Sequence, residues 1–169
     1  MDNKTDFRLK AKTIRKGLEM QKISLELCKK IKLCEEYKSS INVLIFYPLE
    51  NEVNLLPLLD DNKNFYLPRI NGENLEICSY KIGDELKLSE FKTKEPVLNS
   101  VKPDILDLII LPALAADKKN YRLGYGKGYY DRLLSCTKAV TILPIARELV
   151  FEQIPIEKHD KPVDILLQA

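Results

Sequence analysis

The sequence predicts an α/β layered fold on a largely parallel sheet, and three observations carry that prediction. INVLIFY (41–47), ILDLIILP (105–112) and AVTILPIA (139–146) are dominated by aliphatic and β-branched residues, as strands covered on both faces are. Segments of helical period alternate with them, the arrangement from which layered α/β folds are built. The chain has 169 residues, 45% of them hydrophobic, which suits one sizeable core and hence a single domain over 1–169.

Along the chain, Phe7, Ala11, Ile14 and Leu18 recur at offsets of four, three and four and predict an amphipathic helix over 4–19. Lys4, Arg8, Lys12 and Arg15 form a basic stripe beside that apolar face. A second helix is expected from Ser24 as N-cap to Tyr37, with Leu27, Ile31 and Cys34 inside. After the strand at 41–47, NEVNLLPLL (51–59) reads as a short helix near Pro57. NFYLP (64–68) and NLEICSY (74–80) read as strands joined through the turn dipeptide Asn71-Gly72. Residues 81–103 are polar and aperiodic and predict a surface connection. The strand at 105–112, a helix in GYYDRLLSC (128–136), the strand at 139–146 and a short strand in VDILLQ (163–168) complete the set.

A net charge of +2 argues against nucleic acid as a partner. No apolar stretch reaches the roughly 20 residues that span a bilayer, and MDNKTDFRLK has no apolar signal core, so the chain is expected in the cytoplasm, away from membranes. Cys28, Cys34, Cys78 and Cys136 are scattered without a C-x-x-C pair, and suggest neither a zinc site nor a disulfide framework.

The segment that asks for a function is RLGYGKGYYD (122–131), which holds three of the six glycines. Gly124, Gly126 and Gly128 let main-chain N–H groups approach a ligand closely. The segment follows the 105–112 strand, at the strand end where open α/β sheets bind ligands. It matches neither G-x-x-x-x-G-K-[ST] nor G-x-G-x-x-G. It shares their physics: clustered amides, a helix start downstream and fixed cations, all suited to phosphate oxygens. Arg122, Lys127 and either of Lys118 and Lys119 are the candidate counter-charges. The bland alternative is a mobile surface turn, since glycine clusters are common punctuation.

LPALAADKKNYRLGYGKGYYDRLL (111–134) resembles the signature block of the 5-formyltetrahydrofolate cyclo-ligase family. KTDFR (4–8) is similar to that family's K-x-x-x-R, and EKHDKPVDILL (157–167) to its usual ending, apart from the final LLQA. The resemblance implies a three-layer α/β/α fold of the NagB/RpiA/CoA transferase-like kind, with ATP as co-substrate. It implies that Lys4, Arg8 and the stretch Arg122, Leu123, Gly124, Tyr125, Gly126, Lys127, Gly128, Tyr129 and Tyr130 bind ATP. Asp131 and Asp164 would hold Mg²⁺, whose preference for carboxylate, phosphate and water oxygens they suit. Glu52 would meet the pterin of 5-formyltetrahydrofolate, with Tyr47, Tyr125, Gly126, Lys127, Gly128 and Tyr129 around the folate and Arg122 and Lys127 stabilising the moving phosphoryl group.

His159, the only histidine, stands beside Asp160; a structural turn is favoured over an acid–base pair. No nucleophile–histidine pattern supports covalent catalysis. The expected reaction is ATP-driven cyclisation of 5-formyltetrahydrofolate to 5,10-methenyltetrahydrofolate in a monomer. A non-catalytic nucleotide or sugar-phosphate sensor and a small-molecule kinase are the rival readings. The glycine loop is expected to be mobile when empty.

Overall fold

A computed structural model of the chain describes residues 3–169. Helix α1 (Lys4–Lys16) starts at Asn3, whose side chain accepts from Thr5 N and Asp6 N while Asp6 accepts from Asn3 N, a reciprocal cap. Helix α2 (Met20–Leu33) begins four residues before the expected Ser24 cap. Ser24 is buried inside the helix: its hydroxyl donates to Met20 O (2.6 Å) and accepts from Asn54 N (2.9 Å), so it pins a loop instead of starting a helix. The helix breaks at Cys34, which is extended, and resumes as α3 (Glu35–Ser39).

Strand β1 (Asn42–Leu44) is followed by a 3-10 turn at Leu56–Asp60 that Pro57 helps to begin. Strands β2 (Asn64–Asn71) and β3 (Asn74–Ser79) form the expected hairpin, with Gly72 at φ 62°. The 81–103 segment is not featureless. It holds β4 (Leu86–Leu88) and β5 (Lys94–Pro96), paired with each other, and β6 (Ser100–Val101), which adds to β3. Such short, exposed strands lack the buried face that produces a readable alternation.

Then come β7 (Leu108–Ile110), β8 (Ala115–Asp117), β9 (Arg122–Leu123), α4 (Tyr129–Leu134), β10 (Val140–Ile145), β11 (Val150–Phe151) and β12 (Ile165–Gln168). The main sheet runs β12-β10-β7-β1-β2-β3-β6; its first five strands are parallel, β3 is reversed between β2 and β6 and pairs antiparallel with both, while β11-β8-β9 make a small second sheet.

Two core clusters show how the strands are covered on both faces. Leu44, Ile109 and Leu143 point to one side with Ala11 of α1 and Leu133 of α4. Val43, Leu108, Ile110 and Ile142 point to the other with Leu27 and Ile31 of α2 and Tyr37 of α3. Alternate residues of each strand therefore meet different helices, which makes three layers with the sheet between, and each fully buried Leu or Ile contributes about 1.5–3 kcal/mol. No helix among the described residues is long and apolar enough to cross a membrane.

Candidate active site

A cavity of about 670 Å³ opens where β1 and β7 end, lined there by Phe46, Tyr47, Leu49, Glu52 and Pro112. Pro68, Ile70 and Leu75 of the β2–β3 hairpin form an apolar wall, and residues 122–131 cover the cavity. The strand ends leave main-chain groups without sheet partners, so polar ligands find donors and acceptors here.

The glycine loop is tied down by three arginines. Arg8 Nε donates to Gly124 O (2.9 Å), and the Arg8 guanidinium lies so close under Gly126 that a Cβ there would sit 3.2 Å from Cζ. Gly126 also has φ +102°, so both sterics and backbone ask for glycine. Arg15 donates from Nη1 to the Tyr125 hydroxyl (2.9 Å) and from Nη2 to Ala113 O (2.7 Å). On the far side, Arg132 donates from Nη2 to Lys127 O (2.9 Å) and from Nε to Glu73 O (2.6 Å), which suspends the loop over the β2–β3 turn. A Cβ on Gly128 (φ +71°) would meet Arg132 Nη1 at 2.8 Å. The amides of 124–128 donate to no acceptor among the described residues and remain for a ligand. Helix α4 has only six residues, so the electropositive character of the loop comes from these amides and the cations more than from a helix dipole.

Of the residues expected to bind ATP, Lys4, Arg8 and 122–130 all line the cavity. Lys4 Nζ is paired with Asp160 (2.7 Å) and Glu157 (3.5 Å). Burial alone would raise the Asp160 carboxyl, but the hydrogen bonds from Lys4 and from Glu157 N outweigh it and hold the group below its ordinary range. Arg122, nearly buried at 9% side-chain exposure, donates from Nη2 to Asp131 Oδ1 (2.8 Å) and lies 5.7 Å from the Tyr130 ring centre. Lys127 Nζ has no carboxylate partner among the described residues and stands 5.8 Å from the Phe91 ring centre. Lys118 and Lys119 are not at the cavity; Lys118 is exposed and paired with Glu152, so neither serves as the counter-charge proposed from sequence.

The residues expected at the folate gather at the same cavity. Glu52 is 8% exposed; Oε2 accepts from Leu49 N (2.7 Å) and Oε1 from the Tyr125 hydroxyl. Burial first, then the Glu52 charge, push the Tyr125 hydroxyl above its ordinary value, so it remains a donor. Tyr47 faces Lys94 Nζ (5.2 Å), and Tyr129 donates to Gly72 O (3.4 Å).

The expected metal pair does not form. Asp131 lines the cavity, whereas Asp164 lies just before β12 at the amino end of the sheet. Its Oδ2 accepts from Thr141 N (2.8 Å) and Oγ1 (3.0 Å). Arg122, which holds Asp131, also donates to Pro112 O (3.5 Å) beyond the carboxyl end of β7, so the two acids stand at opposite ends of the parallel strands. Asp131 Oδ2 accepts no hydrogen bond among the described residues, so Asp131 has a hard oxygen free for Mg²⁺. Glu157, His159 and Asp160 also place ligand atoms within 4.8 Å of one another at the cavity mouth, but the ammonium of Lys4 already occupies Asp160. The expected turn is there, with Asp160 N donating to Glu157 O (3.0 Å), and it brings His159 to the rim of the cavity.

Several residues at the site were not legible as such. Phe91, Thr93, Lys94 and Glu95 come from the segment read as a bare connection. Arg15 was visible only as part of a stripe, and nothing in the local pattern singled out Arg132. Asp117, 1% exposed, shapes the turn before the loop by accepting from Lys119 N and Tyr121 N.

Comparison with known proteins bears on this cavity directly. The model of the 5-formyltetrahydrofolate cyclo-ligase family matches residues 4–169. The chain is 30% identical over 164 residues to the mouse 5-formyltetrahydrofolate cyclo-ligase, covering 85% of this chain and 81% of that one. It is 32% identical over 135 residues to the Escherichia coli K12 enzyme of the same name, covering 72% and 74%. The solution structure of 5,10-methenyltetrahydrofolate synthetase from Aquifex aeolicus superposes with a TM-score of 0.87 at 32% identity, over 98% of this chain and 89% of that one. With the family's pattern matched over nearly the whole chain and its glycine block folded over the cavity, the protein belongs to the 5-formyltetrahydrofolate cyclo-ligase family.

Proposed function

We propose that this cavity performs the ATP-dependent conversion of 5-formyltetrahydrofolate to 5,10-methenyltetrahydrofolate, releasing ADP and phosphate. One observation carries the reading: the loop with unused amides and the buried acceptor Glu52 meet in one cavity, joined through Tyr125. Phosphate and pterin can therefore lie side by side.

The formyl oxygen is a poor leaving group, and the γ-phosphoryl group activates it by transfer to that oxygen. Nitrogen-10 of the folate then attacks the formyl carbon, and phosphate departs as the ring closes. Such a sequence needs positioning and charge stabilisation more than a protein nucleophile. The amides of 124–128 and the terminal nitrogens of Arg8 hold the phosphates, with Lys4 shared between them and Asp160. Arg122 and Lys127 stabilise charge on the moving phosphoryl group. Glu52 accepts from the donor edge of the pterin, and Tyr47 and Tyr129 flank its rings. Asp131, with phosphate and water oxygens, is the donor set for Mg²⁺, which when bound neutralises phosphate charge.

The test is an absorbance assay. Protein, Mg-ATP and 5-formyltetrahydrofolate are expected to yield the methenyl chromophore, with one ADP per product; ADP without chromophore, or neither, contradicts the reading.

A further inference from the structure

Two buried charges beside the cavity, Arg15 and Glu52, form no ion pair with each other. Arg15 is 8% exposed and forms no ion pair among the described residues; its Nε is buried without any partner. Glu52, also 8% exposed, accepts only from Leu49 N and the Tyr125 hydroxyl. Between them stands that single hydroxyl, accepting from Arg15 Nη1 at 2.9 Å and donating to Glu52 Oε1. A buried guanidinium and a buried carboxylate are each costly alone, and here each is offset through a tyrosine contributed by the glycine loop.

We propose that Arg15 is a positioning residue for the folate, acting through Tyr125 to fix the orientation of the Glu52 carboxylate; this rests on the functional reading above. Three features support it. First, Arg15 reaches two elements at once, donating to Ala113 O just beyond β7 and to Tyr125. The loop side chain is thereby referenced to the rigid sheet. Second, helix α1 divides its arginines by task. Arg8 bonds to the loop main chain at Gly124 and packs under Gly126, where phosphate is to bind, whereas within the loop Arg15 bonds to the Tyr125 side chain alone. Third, the glycines on either side of Tyr125 give it no neighbouring side chains to brace it, and 41% of its surface is exposed. Its hydroxyl is fixed by the two hydrogen bonds.

The remaining freedom of Glu52 follows from these contacts. Leu49 N fixes one carboxylate oxygen and the Tyr125 hydroxyl the other, which sets the carboxylate plane and leaves each oxygen one further lone pair with which to accept. Without Arg15 the hydroxyl loses its donor and is free to turn, and Glu52 loses its definition although no group touching the folate has been removed.

Arg15→Met and Tyr125→Phe, alone and together, test this as a double-mutant cycle, with Arg15→Lys as a milder variant that keeps the stem and charge but loses the two-pronged geometry. Wild-type turnover belongs to the functional reading and is established first. Each single substitution is then expected to raise KM for 5-formyltetrahydrofolate about tenfold while KM for ATP changes less than about threefold, and the double variant to be no worse than the worse single one. Arg15→Lys is expected to show the same split in weaker form, which keeps the test open if Arg15→Met does not fold. Multiplication of the two single effects to about 100-fold would show that Arg15 does not act through Tyr125. Equal increases in both KM values, or a folate KM within twofold of wild type in the folded Arg15 variants, would overturn the proposal.

Discussion

Asp131 and Asp164 looked equivalent in the sequence, and the two rims of the sheet make them opposites. At the carboxyl rim Asp131 shares one oxygen with Arg122 and keeps the other for a ligand. At the amino rim Asp164 and Thr141 satisfy each other reciprocally, with Asp164 N donating to Thr141 Oγ1 (2.9 Å) and the carboxylate accepting from Thr141 N and Oγ1. One acid faces a cavity with an oxygen unpaired, and the other closes its hydrogen bonds with a single neighbouring residue. Function follows polar groups with capacity to spare, whereas polar groups that exhaust one another hold the fold together.

The largest expected effect lies at the cavity rim. Arg122→Ala is expected to lower turnover about 100- to 1,000-fold, as loss of a group stabilising transition-state charge does. The melting temperature should move far less than activity, because the ion pair of Arg122 is to a half-exposed carboxylate and its other contacts, Pro112 O and the Tyr130 ring, lie at the cavity; equal loss of stability and activity would remove the distinction between the rims. Next, Glu52→Gln removes charge-assisted acceptance worth about 1.5–3 kcal/mol, so kcat/KM for the folate is expected to fall roughly 10- to 100-fold with KM for ATP little changed.

The comparison of the acids is sharpened by changing each one. Asp131→Asn is expected to raise the Mg²⁺ concentration for half-maximal turnover about tenfold with unchanged stability, a single oxygen ligand lost. Asp164→Ala is expected to cost about 1–3 kcal/mol of stability in denaturant titrations while the folded fraction keeps wild-type kcat. A dead but fully stable Asp164→Ala would place that residue in the chemistry after all.

The smallest effect concerns pH. Asp160 is held below its ordinary value in the folded protein, so its pairing with Lys4 adds stability that is fully present above about pH 4 and is lost as pH falls through the folded value. Asp160→Asn should flatten the acid limb of the stability curve, and an unchanged limb would show that the pair contributes nothing.

How far the sequence revealed all this depended on the kind of signal. The apolar runs around Val43, Ile109 and Ile142 announced their strands because residues buried on both faces must be apolar. Asn71-Gly72 announced its hairpin because Gly72 takes a positive φ. The glycine loop was legible because Gly126 and Gly128 meet local demands of backbone and space. What failed needed distant partners. Ser24 looked like a cap until Asn54 was seen to bond to it, and β4 and β5 had no buried face to pattern them. The tie from Arg15 to Tyr125 spans 110 residues, and no local rule connects such positions.

The most direct measurement is a crystal structure with a non-hydrolysable ATP analogue, Mg²⁺ and 5-formyltetrahydrofolate bound together. Phosphate oxygens are expected within about 3 Å of the 124–128 amides, hydrogen-bonding distance. The pterin is expected on Glu52, the metal against Asp131, and Asp164 still bonded to Thr141. A triphosphate bound away from the loop, or a pterin that leaves Glu52 untouched, would contradict this arrangement.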